Sequence, residues 1–373
     1  MTTIDFLGPA RRRQAPGADY GALKSLVATG ASRQRGNAEL TAEERTNLEA
    51  YLHYKTIQPH ERAPFHTPTF TLHRRGFIHL PAMTGTGGKE MDHSALEGRF
   101  DEIEDVIVKG DRLWSVFTLH ARHIGTIYRQ PATHKQLAIT EMCVLRYEAG
   151  KLAEGWFLGD EVSICKQIGI GVTVPHVSGG ASLAATPSVA ASVGGLMTAA
   201  ADRQKPGTDY GQLKSVVTKL APGHRSGRDL TAEELSAEER ANLDCFLRYK
   251  IAKPSERKLY QTANYKGNRR GIVHLPELRG TPGQELDHGA LEGRFDEIED
   301  IVVKGNRLWC AFTLRARHVG PLYGMPATGK TVEMLEYCAM RFEGGKIAEG
   351  WFFADELGLA LQIGIPVHAE DGA

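Results

Sequence analysis

Residues 324–331 read GMPATGKT, the G-x-x-x-x-G-K-T spacing of a loop that cradles nucleotide phosphates. In such a loop the glycine amides face the phosphates, the lysine reaches them and the hydroxyl holds magnesium. Two histidines occupy matching contexts, His79 in RRGFIHLP and His274 in RRGIVHLP. Histidine carries protons near neutral pH, and beside an apolar pair it is more often a hydrogen-bonded core residue. The cysteines, Cys143, Cys165, Cys245, Cys310 and Cys338, show no C-x-x-C spacing and are odd in number, so reduced thiols are expected rather than a disulfide framework. No H-E-x-x-H or paired metal spacing occurs, so metal catalysis is not expected.

The chain is one unit written twice. PGADYGALKSLV (16–27) returns as PGTDYGQLKSVV (206–217), and ALEGRFDEIEDVIVKGDRLW (95–114) returns as ALEGRFDEIEDIVVKGNRLW (290–309). That length excludes a solenoid, and each half is long enough to bury its own core. The expected organisation is a repeat over 10–175, an Ala/Ser/Gly-rich linker over 176–199 and a second repeat over 200–370.

The duplication tests the phosphate loop. A working loop follows a buried strand and opens a helix. Here Gly320 and Pro321 interrupt the preceding strand, Pro326 removes an amide, and VEMLEYCAMRF reads better as a strand running to a turn at EGGK. The matching stretch of the first repeat, RQPATHKQ (129–136), has Arg129, His134 and Gln136 where the second has Gly324, Gly329 and Thr331. A hairpin is therefore expected, not a nucleotide site.

Composition narrows the partners. Lys plus Arg equals Asp plus Glu at 45 each, giving no electrostatic argument for nucleic acid or an anionic membrane. The arginine-bearing N-terminus lacks an apolar signal core, and no run of about 18 apolar residues appears. A cytoplasmic protein is expected.

Both halves share a local grammar. Thr41-x-x-Glu44 and Ser236-x-x-Glu239 are capping boxes that open helices bearing Leu48, Tyr51 and Leu52, or Leu243, Phe246 and Leu247. A short helix is predicted over 93–100 and 288–295. Two hairpins follow, one around Lys-Gly-Asp and one around Glu-Ala-Gly-Lys. Closing helices are capped by Asp160 and Asp355. The order predicts an α+β fold, with helices on one side of a curved, mostly antiparallel sheet.

The segments FDEIEDVIVKGDR, AGKLAEGWFLGDEVSICKQIG, RHVGPLYGMPATGKT and GGKIAEGWFFADELGLALQIG, whose motifs recur in the same order in both halves, resemble the SnoaL-like polyketide cyclases of the nuclear-transport-factor-two-like superfamily. The resemblance covers about 95–170 and 290–365. It implies two tandem cone-shaped α+β barrels, each around an apolar pocket, with no metal or cofactor, and a duplication that fuses a dimer into one chain as an intramolecular pseudo-dimer. In the family's aldol cyclases an acid/base Asp lies on the last strand and a His on its neighbour. Those registers fall on Phe157 and Phe352, and on Cys143 and Cys338. If the cysteines face the pocket, alternation places Glu141 and Glu336 beside them, as acid/base candidates with His79 and His274 or as partners of Arg146 and Arg341. Cys143, Cys338, Phe157, Phe352, Trp156, Trp351, Tyr128 and Tyr323 are the substrate-binding candidates. His123 and His318 are expected to build the turn. The implied activity is proton-transfer chemistry, as isomerisation, dehydration or cyclisation, on a small oxygenated apolar molecule. The alternatives are a non-catalytic binding protein and a pair with one active half.

Overall fold

A computed structural model describes residues 40–55, 61–75, 95–170, 235–252, 254–270 and 290–365. Two compact units divide the chain, and the described residues 40–170 and 235–365 fall one set to each. The first holds helix α1 (Ala42–Tyr54), strands β1 (His66–Arg75), β2 (Leu96–Lys109), β3 (Arg112–His123), β4 (Gln136–Glu148) and β5 (Lys151–Gly159), and helix α2 (Glu161–Ile168). The second repeats the order with α3 (Ala237–Ile251), β6 (Gln261–Arg270), β7 (Leu291–Lys304), β8 (Arg307–His318), β9 (Thr331–Glu343), β10 (Lys346–Ala354) and α4 (Glu356–Ile363). Each sheet runs β1-β5-β4-β3-β2 or its counterpart, antiparallel except for the parallel pair β1–β5 or β6–β10. Two tandem α+β domains are the result.

The capping boxes do more than start helices. The Thr41 hydroxyl accepts the Glu44 N–H at 3.2 Å, and Glu44 Oε2 accepts the Thr41 N–H at 2.9 Å. The second oxygen, Glu44 Oε1, accepts the Gly110 N–H at 3.1 Å, while the Asn47 amide donates to the Gly110 carbonyl at 3.1 Å. Gly110 has φ +56°, the left-handed conformation that this tight β2–β3 turn requires. One carboxylate thus fixes the N-terminal end of α1 to the first hairpin. Glu239, Asn242 and Gly305 repeat the arrangement.

The closing helices meet the sheet through one glutamine. Gln167 accepts the Ala138 N–H at 2.8 Å and donates to its carbonyl at 2.9 Å. It takes the place of a neighbouring strand's peptide where β5 has ended. Gln362 does the same at Glu333. Asp160 and Asp355 are N-caps, accepting the N–H of Ser163 and Gly358.

Two expectations change. The predicted helix over 93–100 is strand from Leu96 onward, and over 288–295 strand from Leu291. Gly98 and Gly293, at φ +64° and +61°, sit where the register slips between Glu97 and Phe100 or Glu292 and Phe295, so a bulge stands where helical spacing was read. β1 and β6 were not foreseen. The expected linker, 176–199, lies outside the described residues.

GMPATGKT forms the β8–β9 connection and enters strand β9 at Thr331 with no helix after it. His318 Nδ1 lies 3.0 Å from the Thr328 hydroxyl and accepts the Thr328 N–H at 3.3 Å, and the His318 carbonyl accepts the Gly329 N–H at 2.9 Å. His123 builds the same turn with Thr133. The backbone demands left-handed residues, which are Gly324 and Gly329 in the second repeat but Arg129 (φ +67°) and His134 (φ +56°) in the first. His134 is exposed. His134→Gly is therefore expected to raise the stability of the first repeat by about 0.5–1 kcal/mol, read as a higher urea midpoint.

Candidate functional site

The sheet's inner face is defined by what α1 touches. Tyr51 donates to the Ser115 hydroxyl at 2.8 Å, and the Lys55 ammonium lies 3.2 Å from the centre of the Phe117 ring. Strand alternation extends this face across β4 to Glu141 and Cys143, which oppose Phe117 and Ser115, and across β5 to Phe157, which opposes Cys143. Gly155 belongs to it too, because a Cβ there would stand 2.8 Å from the Phe157 ring. In the second repeat Glu336, Cys338 and Phe352 occupy the same positions.

An ionic cluster lies on this face. Lys55, the C-cap of α1, donates to Asp101 Oδ2 at 2.8 Å. Arg99, two residues before Asp101 on β2 and therefore on the same face, donates to both its oxygens at 3.0 Å. All three are buried. Burial alone would push the Asp101 carboxyl up; Arg99 and then Lys55 outweigh it and hold it well below the usual carboxylate range. Burial draws the Lys55 ammonium down, and Asp101 only partly opposes this. The two partners move the same way because Asp101 is surrounded by cations, whereas Lys55 has one carboxylate to share with a repelling Arg99. Lys250 and Asp296, at 2.8 Å, with Phe312 under the ammonium at 3.1 Å, are the second copy.

Glu141 and Glu336 are 4% and 3% exposed. They do not pair with Arg146 and Arg341, which face the other way and bind Glu148 with Glu154, and Glu343 with Glu349. The charge of Glu141 instead bears on Arg99 and Cys143. Burial pushes the Cys143 thiol up to about 12 despite Lys55, so it is a protonated, unreactive thiol at neutral pH.

The predicted set divides. Glu141, Cys143 and Phe157 share the inner face. Trp156 and Trp351 do not: consecutive strand residues point oppositely. Trp156 opposes Val144 and stacks on His73, with ring centres 5.4 Å apart, and Trp351 lies 5.2 Å from the Arg307 guanidinium. Tyr128 and Tyr323 sit in left-handed backbone at the β3–β4 and β8–β9 connections. His79 and His274 lie outside the described residues. Sequence reasoning missed Lys55, Arg99 and Asp101 altogether. The signal available was their recurrence, as YK closing the first helix of each half and RFDE opening the first hairpin.

The repeats differ at one corner. In the first, Tyr51 bonds to Ser115, whose hydroxyl donates to the Asp105 carbonyl at 3.1 Å. In the second, the equivalents are Phe246 and Cys310, and Cys310 opposes Cys338 across β8–β9.

Removing the Asp101 charge leaves two buried cations without their acceptor. Asp101→Asn is expected to cost the first repeat about 3–5 kcal/mol. The carboxyl is depressed in the folded state, so its contribution is full above the unfolded value of about 3.9 and drains as pH falls below it. Urea unfolding of both proteins between pH 6 and pH 3 should show the gap narrowing only below about pH 4. A gap independent of pH would contradict this assignment.

Comparison with known proteins bears on the family. Residues 90–168 and 291–363 match SnoaL-like polyketide cyclase. Aklanonic acid methyl ester cyclase DnrD of Streptomyces peucetius is 34% identical over 106 residues, spanning 27% of this chain and 73% of that protein. Aklanonic acid methyl ester cyclase DauD of Streptomyces sp. (strain C5) is likewise 34% identical over 106 residues, spanning 27% of this chain and 66% of that protein. The crystal structure of a SnoaL-like polyketide cyclase from Agrobacterium tumefaciens str. C58 aligns at 18% identity over 35% of this chain and 100% of its own, with a TM-score of 0.27. Among the described residues no helix is long and apolar enough to cross a membrane. With the family motifs matched once in each compact unit, the chain belongs to the SnoaL-like polyketide cyclase family.

Proposed function

We propose that the chain is a cofactor-free enzyme that moves protons on a small, largely apolar, oxygenated molecule of polyketide type, in a cyclisation or isomerisation. The observation that carries this is a buried carboxylate, Glu141 or Glu336, at the same inner-face position of both repeats. A carboxylate on a pocket-facing strand position can take a proton from a substrate carbon held against it, which is general base catalysis. Asp101 is unsuited to that part, because Arg99 and Lys55 occupy its oxygens and hold it well below the usual carboxylate range, which makes it a weak base. In this reading Glu141 and Glu336 remove a proton next to a carbonyl, and His79 and His274 are the second proton carriers. The repeats, over 10–175 and 200–370, act as a fused pair.

A binding protein without catalysis is the second reading. Its support is the pair Cys143 and Phe157: the thiol holds its proton and the ring has none to give, so neither can exchange protons with a ligand.

Aklanonic acid methyl ester, the compound in the names of the two relatives, is the first probe. Incubated in D2O, the enzyme reading expects the protein to accelerate deuterium uptake next to a carbonyl or ring closure. The double variant Glu141→Gln, Glu336→Gln should lose at least about a hundredfold of that rate while keeping its circular dichroism spectrum. Saturable binding with no exchange at any pH would favour the binding protein instead.

A further inference from the structure

Arg62 precedes the short helical turn Ala63–Phe65 that leads into β1. It is 8% exposed, and its guanidinium lies 4.5 Å from the centre of the Tyr54 ring. Its Nε and Nη2 atoms, the two that form one side of the guanidinium fork, are buried and have no hydrogen-bond partner. A buried N–H without an acceptor is costly, and for a cation more so. Arg62 also acts electrostatically on Arg99 and Asp101, so it belongs to the same cluster. Among the described residues that cluster sets three cations, Lys55, Arg99 and Arg62, against two carboxylates, Asp101 and Glu141. It has one more cation than carboxylate, and the fork without an acceptor belongs to it.

We propose that the unpaired Arg62 fork is the binding site for a carboxylate, or an equally bidentate enolate, carried by the ligand of the first repeat. The Nε–Nη2 side presents two parallel N–H donors, which match the two oxygens of a carboxylate and discriminate against an ester or amide. A bound monoanion satisfies both donors and balances the cluster. Arg257 is the second copy: it lies 4.9 Å from the Tyr249 ring, and its Nε is likewise buried without a partner. The inference rests on the reading of the inner face as a ligand site, but not on turnover there.

The test uses the full chain and two inert probes, sodium benzoate and methyl benzoate, titrated by calorimetry. Benzoate is expected to bind at least tenfold more tightly than its ester, and the double variant Arg62→Gln, Arg257→Gln should lose that preference. Because the Nε–Nη2 side has no acceptor without ligand, saturating benzoate should raise the melting temperature of the parent and leave that of the variant unchanged. Equal affinity for the two probes, or a preference that survives in the variant, would overturn the proposal, as would a lowered melting temperature with benzoate affinity unchanged. Failure is separable from failure of the enzymatic reading. Arg62-dependent benzoate binding in a protein that catalyses no deuterium exchange leaves this site standing, whereas exchange in a protein blind to the carboxylate removes this site alone.

Discussion

Asp101 cannot sit where it does without Lys55 and Arg99. An isolated carboxylate in that place would protonate rather than pay for desolvation. The pairing therefore dictates where α1 ends, since Lys55 is its C-cap and must reach across the sheet to β2. At the other end the capping-box Glu44 holds the helix to the β2–β3 turn through Gly110. The helix is thus fixed to one hairpin at both ends by carboxylates, one neutralised by peptide N–H groups and one by cations. Everything on the inner face takes its surroundings from that placement, Tyr51 over Ser115 and Lys55 over Phe117 included.

The internal duplication shows which interactions can change and which cannot. The hydrogen-bonded pair Tyr51–Ser115 is replaced as a unit by Phe246 and Cys310. Exchanging both partners of a neutral hydrogen bond for groups of similar shape leaves no orphan and costs little. Lys–Asp over a phenylalanine persists in both repeats, because the loss of either charge strands the other in a buried setting.

Much of the frame was legible in the sequence because its signals are local. Capping boxes, the Lys-Gly-Asp turn and the Asp160 and Asp355 caps are decided within three or four residues, and all stand as read. β1 was illegible for the opposite reason. HTPTFTLHRR carries Pro68 and polar residues on both faces, and its partner is the parallel β5, reached only through the fold. The helix expected over 93–100 failed on Gly98, whose positive φ makes a bulge rather than a helical turn. The site divided along the same line. Glu141 was reachable from strand alternation on β4. Lys55 and Asp101 are 46 residues apart, on a helix and a strand, and no spacing rule joins them. Trp156 and Phe157 were both named as substrate-binding candidates, and alternation on one strand requires them to part.

The resemblance to aldol cyclases assigns the proton carriers to β4 and β5, where this chain has Cys143 and Phe157. Polarity has not left the inner face; it stands on α1 and β2, as Lys55, Arg99 and Asp101, with Glu141 at the border between the two sides. Leu145, Cys143 and Phe157 make the opposing side apolar. A ligand suited to both would be amphipathic, with carbon against β4 and β5 and its oxygens toward the cations. This ordering explains why the loss of the usual aspartate need not empty the face of chemistry. Phe157, opposite Cys143, adds an apolar ring to that side, and a lower local dielectric strengthens every charge that remains.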